Sequence, residues 1–243
     1  MIVLQVMPEM PVDDTTLLQE AISVANVFQK QGSVQRAFST LYPSCKAVGV
    51  VKLQFGSEND TSNMYVSVLH SRGIHSSCVT ASTIFLNSIF AQRFLKRIDV
   101  FEKNRIVFFL GICILHALGH ILHKLAGGGK AQWEILQGGK LMPMEAGEYV
   151  EKMLFAGTCR LCLRKGKGNQ HKMWNPSMKM AKILVHDQEG EKKEISQKDI
   201  DFIVKSQEEG TERMVTLLEG AMKYTKTKGE FCHKPTPDEK PRK

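Results

Sequence analysis

His116 and His120 stand four residues apart in HALGHILH, an apolar run with a helical pattern. On an α-helix, residues four apart differ by about 40° in azimuth and one turn in height, so the two imidazoles project side by side. Two ring nitrogens so arranged can reach one zinc ion, at roughly 2.0 to 2.1 Å each; a catalytic zinc site commonly adds a carboxylate and leaves a fourth position to water. His123 shares this face, but at about 1.5 Å of rise per residue it lies about 10 Å along the axis from His116. One ion cannot reach both, so His123 is left as a donor behind the ligands, a substrate contact or a core residue. The spacing alone does not separate ligation from ordinary packing.

A third element lies downstream. After a glycine-rich segment and Pro143, EAGEYVEKMLFAG predicts a helix from Glu145 to Gly157 that carries Glu145, Glu148 and Glu151, and one of these carboxylates can face the imidazole pair. The order of the two blocks, HALGHILH then EAGEYVEKMLFAG, resembles the HELGH-type metallopeptidase-like proteins of fungi and, more distantly, the ImmA/IrrE zinc peptidases. The resemblance covers Thr83 to Gly157, about a third of the chain. It implies a zincin-like core in which His116 and His120 are metal ligands and Glu145, in the Glu-Ala step, is the third. Glu148, one turn on, is the reserve ligand, and Glu145 also has the ordinary role of a helix-start carboxylate favoured by the dipole.

The chain departs from that pattern at Ala117. In the peptidases the residue after the first histidine is a glutamate that takes a proton from the metal-activated water and passes it to the leaving amine. A methyl group cannot do this, and general acid–base assistance is typically worth about 10² to 10⁴ in rate. The expectation is therefore a degenerate zinc metallopeptidase-like protein, without a catalytic residue at Ala117, that still holds zinc and meets a peptide or protein. Two alternatives stay open: an active zinc hydrolase whose base lies elsewhere, Glu148 and Glu151 being candidates, and a non-metal interaction protein whose histidines are core residues.

The elements that must position these residues read as an α+β fold, a small antiparallel sheet beside a long histidine-bearing helix. TTLLQEAISVANVFQK has a 3.6-residue apolar period with Asp13 or Asp14 available as cap. AVGVVKLQF and MYVSVLH, separated by the turn cluster NDTSN, predict an antiparallel hairpin over Ala47 to His70, with a third strand in VTASTIFLN. SIFAQRFLKRID predicts a helix, followed by the long one from about Val100 to Ala126, which AGGGK ends. Residues 1–157 form the zincin-like α+β domain in this reading. Residues 158–232 form a basic, mainly helical region packed on it, with a possible strand in MAKILVH and helices from Ser196, where Asp199 completes a capping-box-like start, and from Glu208 to about Tyr224. Residues 233–243, KPTPDEKPRK with the preceding histidine, read as a disordered tail.

The 243 residues carry 33 Lys and Arg against 25 Asp and Glu, and most of the excess lies beyond Gly157. Interleaved Lys and Glu there read as a solvated face. The segment RLCLRKGKGNQHKMWNPSMKMAK has Trp174 as its only Phe, Trp or Tyr, whereas single-strand binders interleave several such rings, so nucleic acid is not the expected partner. MIVLQVMPEM lacks a basic n-region, and six sparse cysteines read as thiols, which together point to an intracellular, cytoplasmic protein. Ile106 to His123 is uncharged, close to the roughly 20 residues of a membrane span, but three imidazoles within it favour burial in protein. Cys159 and Cys162 form CxxC with His171, Cys232 and His233 far on; no second CxxC matches it, and no βαβ setting supports a redox role. AGGGK lacks phosphate-loop spacing, and there is no Gly-x-Ser-x-Gly elbow.

Overall fold

The apolar stripe of the first helical pattern exists to cover a second, longer helix. The computed structural model describes residues 1–43, 49–56, 65–70, 82–96, 98–126, 132–137, 140–164, 179–187, 190–205, 223–224 and 231–232. Strand β1 (Leu4–Val6) leads into α1 (Val12–Gln29) and α2 (Gly32–Leu41). Leu17, Leu18, Ala21, Val24, Ala25 and Phe28 of α1 are all buried. Neither aspartate caps α1: Pro11 is the N-cap, its carbonyl accepts from Thr15 N at 2.8 Å, and Asp13 and Asp14 fall within the first turn. Their carboxylates face the dipole there instead of closing the helix end.

Strands β2 (Val51–Gly56), β3 (Val66–His70) and β4 (Ser82–Asn87) do not form the expected hairpin. The sheet order is β1-β2-β4-β3, so β4 lies between the other two, parallel to β2 and antiparallel to β3. β1 is parallel to β2, and the sheet is therefore mixed rather than antiparallel. Val51 and Leu53 of β2 and Ile84 and Leu86 of β4 are all enclosed, and these two strands take the interior of the sheet, leaving β3 at the edge. Helices α1 and α2 supply the crossover that the parallel β1–β2 pair requires.

After α3 (Ile89–Phe94) comes the long helix α4 (Val100–Leu125), capped by Asp99, whose Oδ1 accepts from Glu102 N at 2.8 Å. It packs against α1, the mixed sheet and the elements that follow. α4 is long and apolar enough to cross a membrane by length and composition, yet most of its apolar stretch is buried inside the protein. Every residue from Asn104 to Leu122 is buried except His116 and His120.

A two-stranded antiparallel hairpin, β5 (Gln132–Gln137) and β6 (Lys140–Glu145), then delivers the chain to α5 (Ala146–Phe155). Glu145 is thus the N-cap of α5, not its first turn. The helix ends at Ala156 in the left-handed conformation, where glycine would be usual. Glycine is used one residue later: a Cβ on Gly157 would come within 2.5 Å of the His186 carbonyl oxygen.

The C-terminal region is not mainly helical among the described residues. β7 (Thr158–Arg164), β8 (Lys179–His186), β9 (Lys192–Glu194), β10 (Lys223–Tyr224) and β11 (Phe231–Cys232) form an antiparallel sheet in the order β10-β9-β8-β7-β11, and a helix, α6 (Gln197–Lys205), follows β9. Cys159, Leu161 and Leu163 line one buried face of β7; on the other face Thr158 and Cys162 are buried too and Arg160 is partly exposed. MAKILVH is the predicted strand, and Asp199 N donates to Ser196 Oγ at 3.2 Å, the expected start of α6. Most of the helix expected at Glu208 to Tyr224, the glycines of AGGGK, NDTSN, Trp174, His171 and the tail lie outside the described residues. The chain is thus a mixture of helices and small sheets, consistent with α+β.

Candidate metal centre

Two elements bring three donors together. The i, i+4 spacing on α4 aims the imidazoles of His116 and His120 at the same point, and the end of β6 brings Glu145 over them. His120 Nε2 lies 3.1 Å from His116 Nε2. Glu145 Oε1 lies 2.8 Å from His120 Nε2 and 3.6 Å from His116 Nε2. Ligand atoms bound at about 2.0 to 2.1 Å to a tetrahedral ion stand about 3.3 Å apart, and the three separations straddle that value. Among the described residues this is the only group of three His, Cys, Asp or Glu side chains close enough to hold one ion. Its side chains are partly open, at 16%, 23% and 33% exposure for His116, His120 and Glu145, and the two histidines are the only residues of α4 between Asn104 and Leu122 that are not buried.

The other ring nitrogen of His116 is also engaged. Nδ1 lies 2.6 Å from Glu151 Oε1, and Glu151 Oε2 accepts from the Cys159 amide, also at 2.6 Å. Glu151 itself is buried. Burial draws His116 toward its neutral form, but the carboxylates of Glu145 and Glu151 outweigh it and lift its pKa from 6.5 to about 10. Burial likewise pushes Glu145 upward; its contacts with His116 and His120 prevail and hold its carboxyl well below the usual range.

The remaining candidates fall elsewhere. Ala117 is fully buried, so the position of the missing base is filled by core rather than open to the site. Glu148 Oε1 faces Arg160, 3.4 Å from its guanidinium, and lies outside the three-donor group. His123, in the last turn of α4, is not part of it either. Cys159 and Cys162 share strand β7 three residues apart, a spacing that sends side chains to opposite faces. Burial, with the charge of Glu151 added, pushes the Cys113 and Cys159 thiols well up, which keeps them protonated and poor ligands.

Two participants have roles that sequence does not specify. Glu151, one of the three carboxylates that could face the imidazole pair and a candidate base, meets His116 on the side away from Glu145. Gly147 carries no sequence signal, yet it is packed against the His116 ring: a Cβ there would stand 2.5 Å from ring atoms Cγ and Nε2. The readable signal was a carboxylate among the apolar positions Val150 and Phe155 of α5, where an unpaired charge is rarely kept. Comparison with protein-family models, with curated proteins and with solved structures finds no match.

Proposed function

We propose that this protein is a zinc-holding, metallopeptidase-like protein that lacks the general base of a working peptidase. His116 and His120 bind the ion through Nε2 and Glu145 through a carboxylate oxygen. The observation that carries this reading is the convergence of three chemically suitable donors at tetrahedral spacing, at the one opening of a helix buried over the rest of its middle. The zincin-like resemblance of HALGHILH and EAGEYVEKMLFAG supports the same ligand set. When bound, zinc would supply Lewis-acid polarisation of a carbonyl oxygen. The chain's own part is to hold the ligands, and Ala117 can move no proton. Such a site favours capture of a peptide or protein over its hydrolysis.

A second reading has its own support. His116 sits against two carboxylates with its pKa raised, as in a buried ion-pair clamp between α4 and α5 that needs no metal. Metal content after zinc exposure and dialysis separates the two: about one zinc per chain is expected, lost in His116→Ala/His120→Ala. Equal content in wild type and double variant overturns the metal centre. Ala117→Glu tests descent from a peptidase: position 117 is fully buried, so measurable hydrolysis of an unstructured peptide by a folded, zinc-loaded variant requires the new carboxylate to reach the site and act as its base. A zinc-loaded, inactive variant would remove the peptidase part and leave the metal site.

A further inference from the structure

The carboxylate of Glu151 touches both a candidate ligand and a backbone amide, and neither contact is needed to hold a metal directly. We infer that Glu151 is a positioning residue, which fixes the proton of His116 on Nδ1 and thereby frees Nε2 for an ion. The inference rests on the metal-centre reading above and goes further by assigning a tautomer and the group that sets it.

The donor and acceptor inventory leaves one arrangement. The Cys159 amide can only donate, and it occupies Glu151 Oε2 at 2.6 Å. Glu151 Oε1, a carboxylate oxygen, can only accept, so the 2.6 Å contact with His116 requires a hydrogen on Nδ1. Once an ion displaces the hydrogen on Nε2, the imidazole that remains keeps its hydrogen on Nδ1 and presents its lone pair at Nε2. Nε2 is the atom that faces His120 and Glu145. Burial of Glu151 makes the bond hard for water to replace, and attachment of its second oxygen to β7 stops the carboxylate from following the ring if it rotates. Outer partners of this kind typically govern metal affinity by about 10- to 100-fold.

Glu151→Gln provides a sharp test because it keeps the shape and reverses one hydrogen bond. The Cys159 amide will take the glutamine oxygen, which turns the NH2 group toward His116 Nδ1. That nitrogen must then accept, and the proton moves to Nε2, where it blocks coordination. The experiment measures zinc affinity by chelator competition for wild type, Glu151→Gln and His116→Ala/His120→Ala, together with imidazole 15N spectra of the wild-type protein loaded with zinc. Expected are a loss of about 10- to 100-fold in Glu151→Gln and a protonated, exchange-protected Nδ1 on His116 in the wild type. A Glu151→Gln protein that binds zinc as tightly as wild type overturns the inference and leaves the metal centre standing. So does an unprotonated Nδ1 in the zinc-loaded wild type, which needs no variant to fold. Failure of the wild type to bind zinc overturns the metal centre itself, and this inference with it.

Discussion

Gly147 lies flat against the imidazole of His116, so close that a Cβ at that position would stand 2.5 Å from Nε2. The ring cannot retreat freely, because Glu151 holds its other edge. Gly147→Ala is therefore expected to push the ring off the Glu151 contact and to lower zinc affinity by about 10- to 100-fold, measured by chelator competition. Wild-type affinity would mean that the ring has room the packing does not allow.

Gly119 makes the corresponding close approach between helices. A Cβ there would stand 2.7 Å from the carbonyl oxygen of Ala146, and backbone yields less readily than a side chain. Alanine is ordinarily better than glycine inside a helix by about 0.5 to 1 kcal/mol, so an uncrowded site would gain stability. Gly119→Ala is expected to lose about 1 to 3 kcal/mol instead, read from the urea midpoint. A stabilised variant would refute the tight crossing of α4 and α5.

How far the site could be read depends on how local its signals are. His116 and His120 are related by one helical turn, and Glu145 opens the next helix, so spacing and order suffice to nominate them. Glu151 gets its role from the Cys159 amide on another strand and from the far side of a ring, which periodicity does not encode. The fold divides the same way. α1, α4 and α5 follow from 3.6-residue patterns with boundaries off by a residue or a few, whereas β2 and β3 look like hairpin partners until β4, distant in sequence from β2, comes between them. β7 is not legible as a strand because Arg160 interrupts its apolar run and Arg164 ends it, so neither a continuous nor a helical apolar pattern stands out.

At the other end of α4, buried Glu102 accepts from Arg93 Nε at 2.8 Å and from the second nitrogen at 2.9 Å, and also from the Met180 amide at 2.8 Å. This joint ties α3, α4 and β8 together. Arg93→Ala would leave a buried carboxylate without its cation and is expected to cost about 3 to 5 kcal/mol, read by urea unfolding. Arg93→Met/Glu102→Met, which removes both charges, should recover part of that loss. A double variant as unstable as the sum of its single changes would argue against direct coupling.

The His116 proton makes stability and metal binding respond to pH in opposite ways. Its folded pKa, about 10, lies above the ordinary 6.5, so its contribution is complete below about 6.5 and is lost as pH rises through about 10. Glu145 is depressed, so its share is present above its ordinary 4.5 and lost as pH falls below it. The thermal midpoint of the metal-free protein should therefore decline between about pH 6.5 and about pH 10, and His116→Gln should abolish most of that decline. Zinc must displace the same proton, so apparent zinc affinity should climb by up to about tenfold per pH unit over the neutral range. Chelator competition at several pH values, beside thermal melts of the metal-free form, measures both trends. A metal-free midpoint that stays flat from neutral to alkaline pH would show that His116 carries no extra proton, and zinc would then have nothing to displace.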